Sequence, residues 1–135
     1  MKKYRYILGI IFAWILISSF FYYDGSRYEI SKYEGKYWLH DEKMAYSIEK
    51  DGQSLTWNRR YIYSYGKSGF IIIDKKNNNL KIMFDDRTSN VRKKDIFNEK
   101  QRYPHYIEVL NYCDLKENEK KVYDNLYNTY GSYNW

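Results

Sequence analysis

Tyr61-Ile-Tyr-Ser-Tyr65, Gly66-Lys-Ser-Gly69, Phe70-Ile-Ile-Ile-Asp74, Lys75-Lys-Asn-Asn-Asn79 and Leu80-Lys-Ile-Met-Phe84 follow one another without a break. In that order they read as strand, turn, strand, polar loop and strand. Isoleucine and tyrosine suit a pleated, half-buried surface. Phe70 to Ile73 has no polar alternate, so that strand is predicted to be buried on both faces, while Leu80, Ile82 and Phe84 share one face. Loops this short join antiparallel neighbours, because a parallel pair needs a crossover of a dozen residues or more. The stretch therefore predicts an antiparallel meander.

The pattern continues outward on both sides. Lys36-Tyr-Trp-Leu39 and Met44-Ala-Tyr-Ser-Ile48 read as strands around a polar turn at His40 to Lys43. Asp51-Gly52 offers the positive-φ residue of a tight hairpin, so Gln53 to Trp57 is predicted to return antiparallel. On the other side Ser89 is placed to cap a helix from Asn90 to Gln101, with Val91, Lys94 and Phe97 along one side. Pro104 ends it, and Tyr106 to Tyr112 is predicted as the last strand. Asp114 with Glu117 suggests a capping box for a helix to about Tyr130, stopped by Gly131. There Val122, Tyr123, Leu126, Tyr127 and Tyr130 recur at three- and four-residue spacing. The expected fold class is α+β, an antiparallel meander of five to seven strands with a C-terminal helix packed on it.

Before this domain the chain changes character. Lys2, Lys3 and Arg5 precede Tyr6 to Tyr23, 18 residues without a charge, and Asp24 ends the run. As a helix the run would reach roughly 27 Å, close to the thickness of a bilayer core. The basic tip, residues 1–5, predicts a cytoplasmic N-terminus, and residues 24–135 then form an extracytoplasmic domain. A cleaved signal peptide shares this layout. Ile17 and Tyr23 occupy positions where cleavage after Ser19 or Gly25 would need small residues, so the expectation is an uncleaved transmembrane anchor over residues 6–23. Its partner there is the lipid bilayer.

Lys2, Lys3 and Arg5 supply three of the formal +6, which leaves the part beyond the run near +3 and argues against a nucleic-acid partner. One cysteine, Cys113, excludes an intramolecular disulfide, and its apolar setting predicts a small buried hydrophobe.

No catalytic constellation is recognisable. Gly66-Lys67-Ser68 resembles the end of a phosphate-binding loop, but Tyr61 stands where its first glycine should be and a strand follows, so a hairpin turn is expected. His105 and Glu108, three apart on a predicted strand, point to opposite faces, and Asp85-Asp86 lacks the oxygen pattern of a cation loop. The expectation is of a chain without catalytic, metal-ligating or cofactor-binding residues. Trp57, Arg59, Tyr61, Tyr63 and Tyr65 would share a face if one strand ran through them. Trp57, Arg59, Tyr61 and Tyr63 are thus the candidate binding surface for a sugar, a peptidoglycan fragment or a protein. The competing expectation is that most of the row is aromatic core, with Arg59 at its rim.

Trp57-Asn-Arg-Arg-Tyr-Ile-Tyr63 followed by Gly69-Phe-Ile-Ile-Ile-Asp-Lys75 resembles a family of small exported or membrane-anchored bacterial proteins of unknown function. The resemblance covers roughly Tyr37 to Arg102. The chain departs from it by lacking the lipobox cysteine and by a basic helix at Arg92 to Lys94. The resemblance implies only a non-enzymatic extracytoplasmic domain. Function is accordingly expected to be that of a membrane-anchored binding module with an envelope protein partner; the alternative is an immunity or inhibitor protein against an exported toxin or wall hydrolase.

Overall fold

Tyr61 to Met83 folds as its alternation requires. In the computed structural model of the chain, which describes residues 20–23 and 27–130, three consecutive strands pair antiparallel here: β5 (Tyr61–Gly66), β6 (Gly69–Asp74) and β7 (Asn79–Met83). Phe70 to Ile73 is buried on both faces. The turn between β5 and β6 is Lys67-Ser68, and Gly69 takes φ +95°, which a side chain would strain. Upstream lie β1 (Phe20–Tyr23), β2 (Tyr28–Tyr33), β3 (Lys36–Asp41) and β4 (Tyr46–Trp57). Downstream lie α1 (Asn90–Arg102), β8 (Ile107–Leu110) and α2 (Glu117–Tyr130). The strands form one sheet in chain order, β1 to β8. The α+β architecture with a C-terminal helix is as expected.

Several local expectations are corrected. The sheet is not wholly antiparallel, since β8 runs parallel to β7. The segment from Phe84 to Tyr106, α1 included, is long enough to be the crossover that a parallel pair needs. Asp51-Gly52 is no hairpin: β4 runs through it as one 12-residue strand. Gly52 pairs with Tyr37 on one side and Gly66 on the other, between register shifts on both. The site is tight: a Cβ at Gly52 would lie 3.0 Å from the Cβ of Tyr37, so that side chain would have to give way. The bulged backbone is satisfied by Glu49, whose buried carboxylate accepts from the N–H groups of Lys50, Asp51 and Ser68.

Ser89 does cap α1, accepting from the N–H of Arg92 at 3.3 Å. Val91, Lys94 and Phe97 nevertheless lie on its exposed side, and Ile96 is the residue it buries. The last strand stops at Leu110, because Tyr112–Asp114 winds into a 3-10 turn with the Asp114 carboxylate accepting from the N–H of Asn111 at 2.9 Å. Cys113 sits on that turn and is exposed, not buried; Leu115 takes the core position. The cap of α2 moves with it. Glu119, not Glu117, reaches back to the N–H of Lys116, at 2.8 Å. The expected stop at Gly131 lies outside the described residues.

At the other end Phe20–Tyr23 pairs antiparallel with β2, from Phe20 opposite Lys32 to Tyr23 opposite Glu29. These four residues were expected to finish a transmembrane helix, and they are strand instead; residues 6–19 lie outside the described residues. Among the described residues no helix is long and apolar enough to cross a membrane.

The sheet has two buried sides. One holds Ile30, Leu39, Ile48, Leu55, Ile62, Ile71, Ile73, Leu80 and Ile82, with Ile96 of α1 and Ile107 of β8. The sheet curls around this side far enough to bring the start of β8 to the end of β3. The Tyr106 hydroxyl, just before β8, donates to Asp41 at the end of β3. Asp41, fully buried, also takes the Arg27 guanidinium through Nε at 3.1 Å and Nη2 at 2.6 Å. Burial together with the bonded Asp41 carboxylate pushes the Tyr106 hydroxyl far above the usual tyrosine range. The other side carries Tyr65, Phe70, Ile72 and Met83 of β5 to β7, against Leu115 and the Tyr123 face of α2.

Candidate functional site

The aromatic row divides at the turn between β4 and β5. Asn58 Oδ1 accepts from the N–H groups of Arg60, at 2.9 Å, and Tyr61, at 2.8 Å, so residues 58–60 close an Asx turn. Across it Trp57 stands opposite Ile62 and packs on the larger core. Tyr61, Tyr63 and Tyr65 alternate onto the opposite side, beneath α2. Arg59 is exposed within the turn. The single face expected for Trp57, Arg59, Tyr61 and Tyr63 is thus corrected, because strand parity does not carry through a turn. Tyr61 and Tyr63 remain together, with ring centroids 6.0 Å apart, and Tyr63 stacks in turn on Phe70 at 6.4 Å.

The two tyrosines lie at the edge of a cleft of about 230 Å³ between the sheet and the first turn of α2. Its floor follows two rows across the ladder: Tyr61, Asp74 and Asn79, then Tyr63, Ile72 and Lys81. Asp74 and Arg60 are joined by two hydrogen bonds, Nε to Oδ1 at 3.3 Å and Nη2 to Oδ2 at 3.1 Å. The Arg60 bond is the main cause that holds the Asp74 carboxyl below the usual aspartate range. From the helix side come Lys116, Asn118 and the buried Glu119, whose Oε1 is taken by the Lys116 N–H. Burial, helped by the Glu119 charge, pushes the Tyr63 hydroxyl up.

The position of α2 over this cleft is set by a second group of polar contacts. Asp85 Oδ2 accepts from the hydroxyls of Tyr65 at 2.7 Å and Tyr123 at 3.1 Å. Arg87 donates to the Tyr65 hydroxyl at 2.9 Å and lies 3.8 Å from the centroid of the Tyr127 ring. Burial and the Asp85 charge raise both hydroxyls well above their ordinary range. They therefore act as donors that fix the helix, and the Asp85 carboxylate is engaged.

Among the cations of the cleft, Arg60 is neutralised by Asp74. Lys81 and Lys116 differ: among the described residues neither ammonium has an acidic partner within 4 Å, although Glu108 of β8 is next to Lys81 in the ladder. Lys81 is half-buried and Lys116 exposed. Sequence reading passed over Asp74, Lys81, Lys116 and Asn118. The one available signal was Lys81 interrupting Leu80 and Ile82, which placed it on the face opposite the larger core. Among the described residues no group of three or more His, Cys, Asp or Glu is arranged to hold a metal ion. No family model matches the chain, and neither a curated protein nor a solved structure was found that is similar to it.

Proposed function

We propose that the chain is a non-catalytic binding module of a cell envelope, and that the cleft beneath α2 is its ligand site, taking an anionic group. The observation that carries this reading is the pair of ammonium groups, Lys81 and Lys116, that among the described residues have no ion pair within 4 Å. They outweigh the Glu119 carboxylate of the same cleft and stand beside a floor of two tyrosine rings. A partly enclosed cleft strengthens the field of charges within it. A carboxylate or phosphate would complete both lysines with charge-assisted bonds, while Tyr61 and Tyr63 offer a flat apolar contact to whatever bears it. Asn79 and Asn118 supply amides for its polar rim.

The test is titration of the full-length chain, labelled with ¹⁵N, with acetate, phosphate and glucuronate. The amides of Lys81, Lys116 and Asn118 should shift together and saturably. Lys81→Ala with Lys116→Ala should remove the response while leaving the melting temperature close to that of the parent. If none of the three anions moves those amides, the cleft is not an anion site.

The envelope setting rests on the charge asymmetry of Lys2, Lys3 and Arg5 against the run to Tyr23. β1 competes with the bilayer for the end of that run. Tyr6 to Ser19 as a helix would reach about 21 Å, short of the roughly 30 Å of a bilayer core. Should the run span the bilayer as proposed, Phe20 to Tyr23 would leave β1 to complete it, and the chain should stay in the membrane fraction through carbonate washing, with a reporter after Trp135 active only outside the cytoplasm. Release of a shortened soluble form would show that the run is a removable signal.

A further inference from the structure

The buried side chains beneath α2 come from β5 to β7, joined by Leu110 of β8 and Leu115. Further along the same side of the sheet, β2, β3 and β4 present something different. Glu29, Ser31, Trp38, His40 and Ser47 line a shallow groove of about 310 Å³. The register explains the grouping: Ser31 stands opposite Trp38, Glu29 opposite His40, and His40 opposite Ser47. Leu39 and Ile48, the chain neighbours of Trp38, His40 and Ser47, point the other way into the larger core.

Trp38 is 49% exposed, yet it is held in place. Its indole N–H donates to Ser47 Oγ at 3.0 Å, and that oxygen lies 3.1 Å from His40 Nδ1. A ring fixed before binding loses little freedom when something stacks on it. Around it stand a carboxylate, two hydroxyls and an imidazole, and among the described residues no Leu, Ile, Val or Met lines the groove.

We propose that this groove is a glycan site, with a pyranose ring seated on Trp38 and its hydroxyls met by Glu29, Ser31 and His40. A pyranose has an apolar C–H face and a polar rim, which is the arrangement of the groove in complement. The negative face of the indole attracts the weakly positive C–H groups. The surrounding side chains both donate and accept. An apolar protein surface laid on the same groove would desolvate the Glu29 carboxylate and the free ring nitrogen of His40 and return no hydrogen bond to either. A nucleic acid would meet the Glu29 carboxylate and, among the described residues, no Lys or Arg in the lining. The site is independent of the anion cleft, so either can fail alone.

The experiment uses the full-length chain in a zwitterionic, sugar-free detergent, with ¹⁵N-tryptophan and the Trp38 indole signal assigned by its loss in Trp38→Phe. Titration with cellotetraose or chitotetraose should shift that signal and leave the Trp57 indole unmoved. Trp38→Ala should weaken binding by about tenfold or more, and Trp38→Phe by less. The melting temperature should change little in either variant, which separates loss of the site from loss of the fold. Absence of a shift with both tetrasaccharides overturns the proposal. So does a Trp38 signal that answers to rising protein concentration, or to phosphatidylglycerol vesicles, and not to sugar.

Discussion

Glu49→Ala is expected to lower folding stability by about 3–5 kcal/mol, a large part of what a domain of this size has. The Glu49 carboxylate is fully buried. Oε1 accepts from Lys50 at 3.1 Å and Asp51 at 3.0 Å in the bulged part of β4, and Oε2 accepts from Ser68 in the turn between β5 and β6 at 2.9 Å, so one side chain satisfies backbone in both segments. Alanine would leave those N–H groups unpaired, each at about 1–3 kcal/mol where water cannot reach. Arg92, which donates to Ser68 Oγ at 2.6 Å and lies 3.9 Å from Glu49, would lose its nearest anion. Glu49→Gln retains an acceptor and should fall between parent and alanine. The pH dependence follows from the direction of the shift. Burial raises the Glu49 carboxyl above its unfolded value, against the opposing pull of the Asp51 and Ser68 N–H groups and Arg92. Between the unfolded and folded pKa values the native state holds more protons, so stability contributed by Glu49 falls as pH rises through that window and is level above it. Urea denaturation across the acid range should show this slope in the parent and lose it in Glu49→Gln. An unchanged midpoint in Glu49→Ala would mean that the bulge closes without the carboxylate.

Gly69→Ala should have an effect of similar or greater size for a steric reason. Its φ is +95°, and a Cβ there would lie 2.4 Å from the carbonyl oxygen of Met83 and 3.2 Å from Thr88 Oγ1. The oxygen belongs to β7, which is paired with β6 along its length, so it cannot withdraw without opening the ladder. A loss above roughly 4 kcal/mol, or failure to fold, is expected. Gly35→Ala is the matched control. It has φ +78° with nothing within 4 Å of the added Cβ, so only the backbone conformation is strained, at about 1–2 kcal/mol. Equal denaturation midpoints for the two variants would show that the contact with Met83 yields freely.

Where hydrophobic alternation spoke, the sequence was a good guide. Tyr61 to Met83 needed only strand period and short loops, and the Tyr123 face of α2 followed from helical spacing. The misreadings share a cause: each turns on what a distant segment does to a locally ambiguous signal. Asp51-Gly52 has the composition of a hairpin, but Tyr37 and Gly66 crowd it from two neighbouring strands and Glu49 satisfies its backbone, so it becomes a bulge. Cys113 follows an apolar run, yet Asp114 turns the chain and Leu115 claims the core. Trp57 and Tyr61 are four apart, and a three-residue turn between them sends their rings to opposite sides. The cleft was illegible for the same reason. Asp74, Lys81, Lys116 and Asn118 meet only because Asp85 and Arg87 hold α2 across β5 to β7, a juxtaposition that no local motif announces. Trp38 was visible as a strand residue; that no described element packs over it depends on where α2 ends up.

The order of the sheet also bears on how the chain acquires its shape. Every strand from β2 to β7 pairs with the strand made just before it. A chain emerging N-terminus first, whether from a ribosome or through a membrane pore, always finds its partner strand already present. No edge has to wait exposed for a distant segment, and each step closes only a small loop, which favours rapid folding and limits mispairing. The wait comes once, at α1 and β8. Tyr106 then reaches Asp41, 65 positions earlier, and fastens the rolled sheet when nearly all of it is in place.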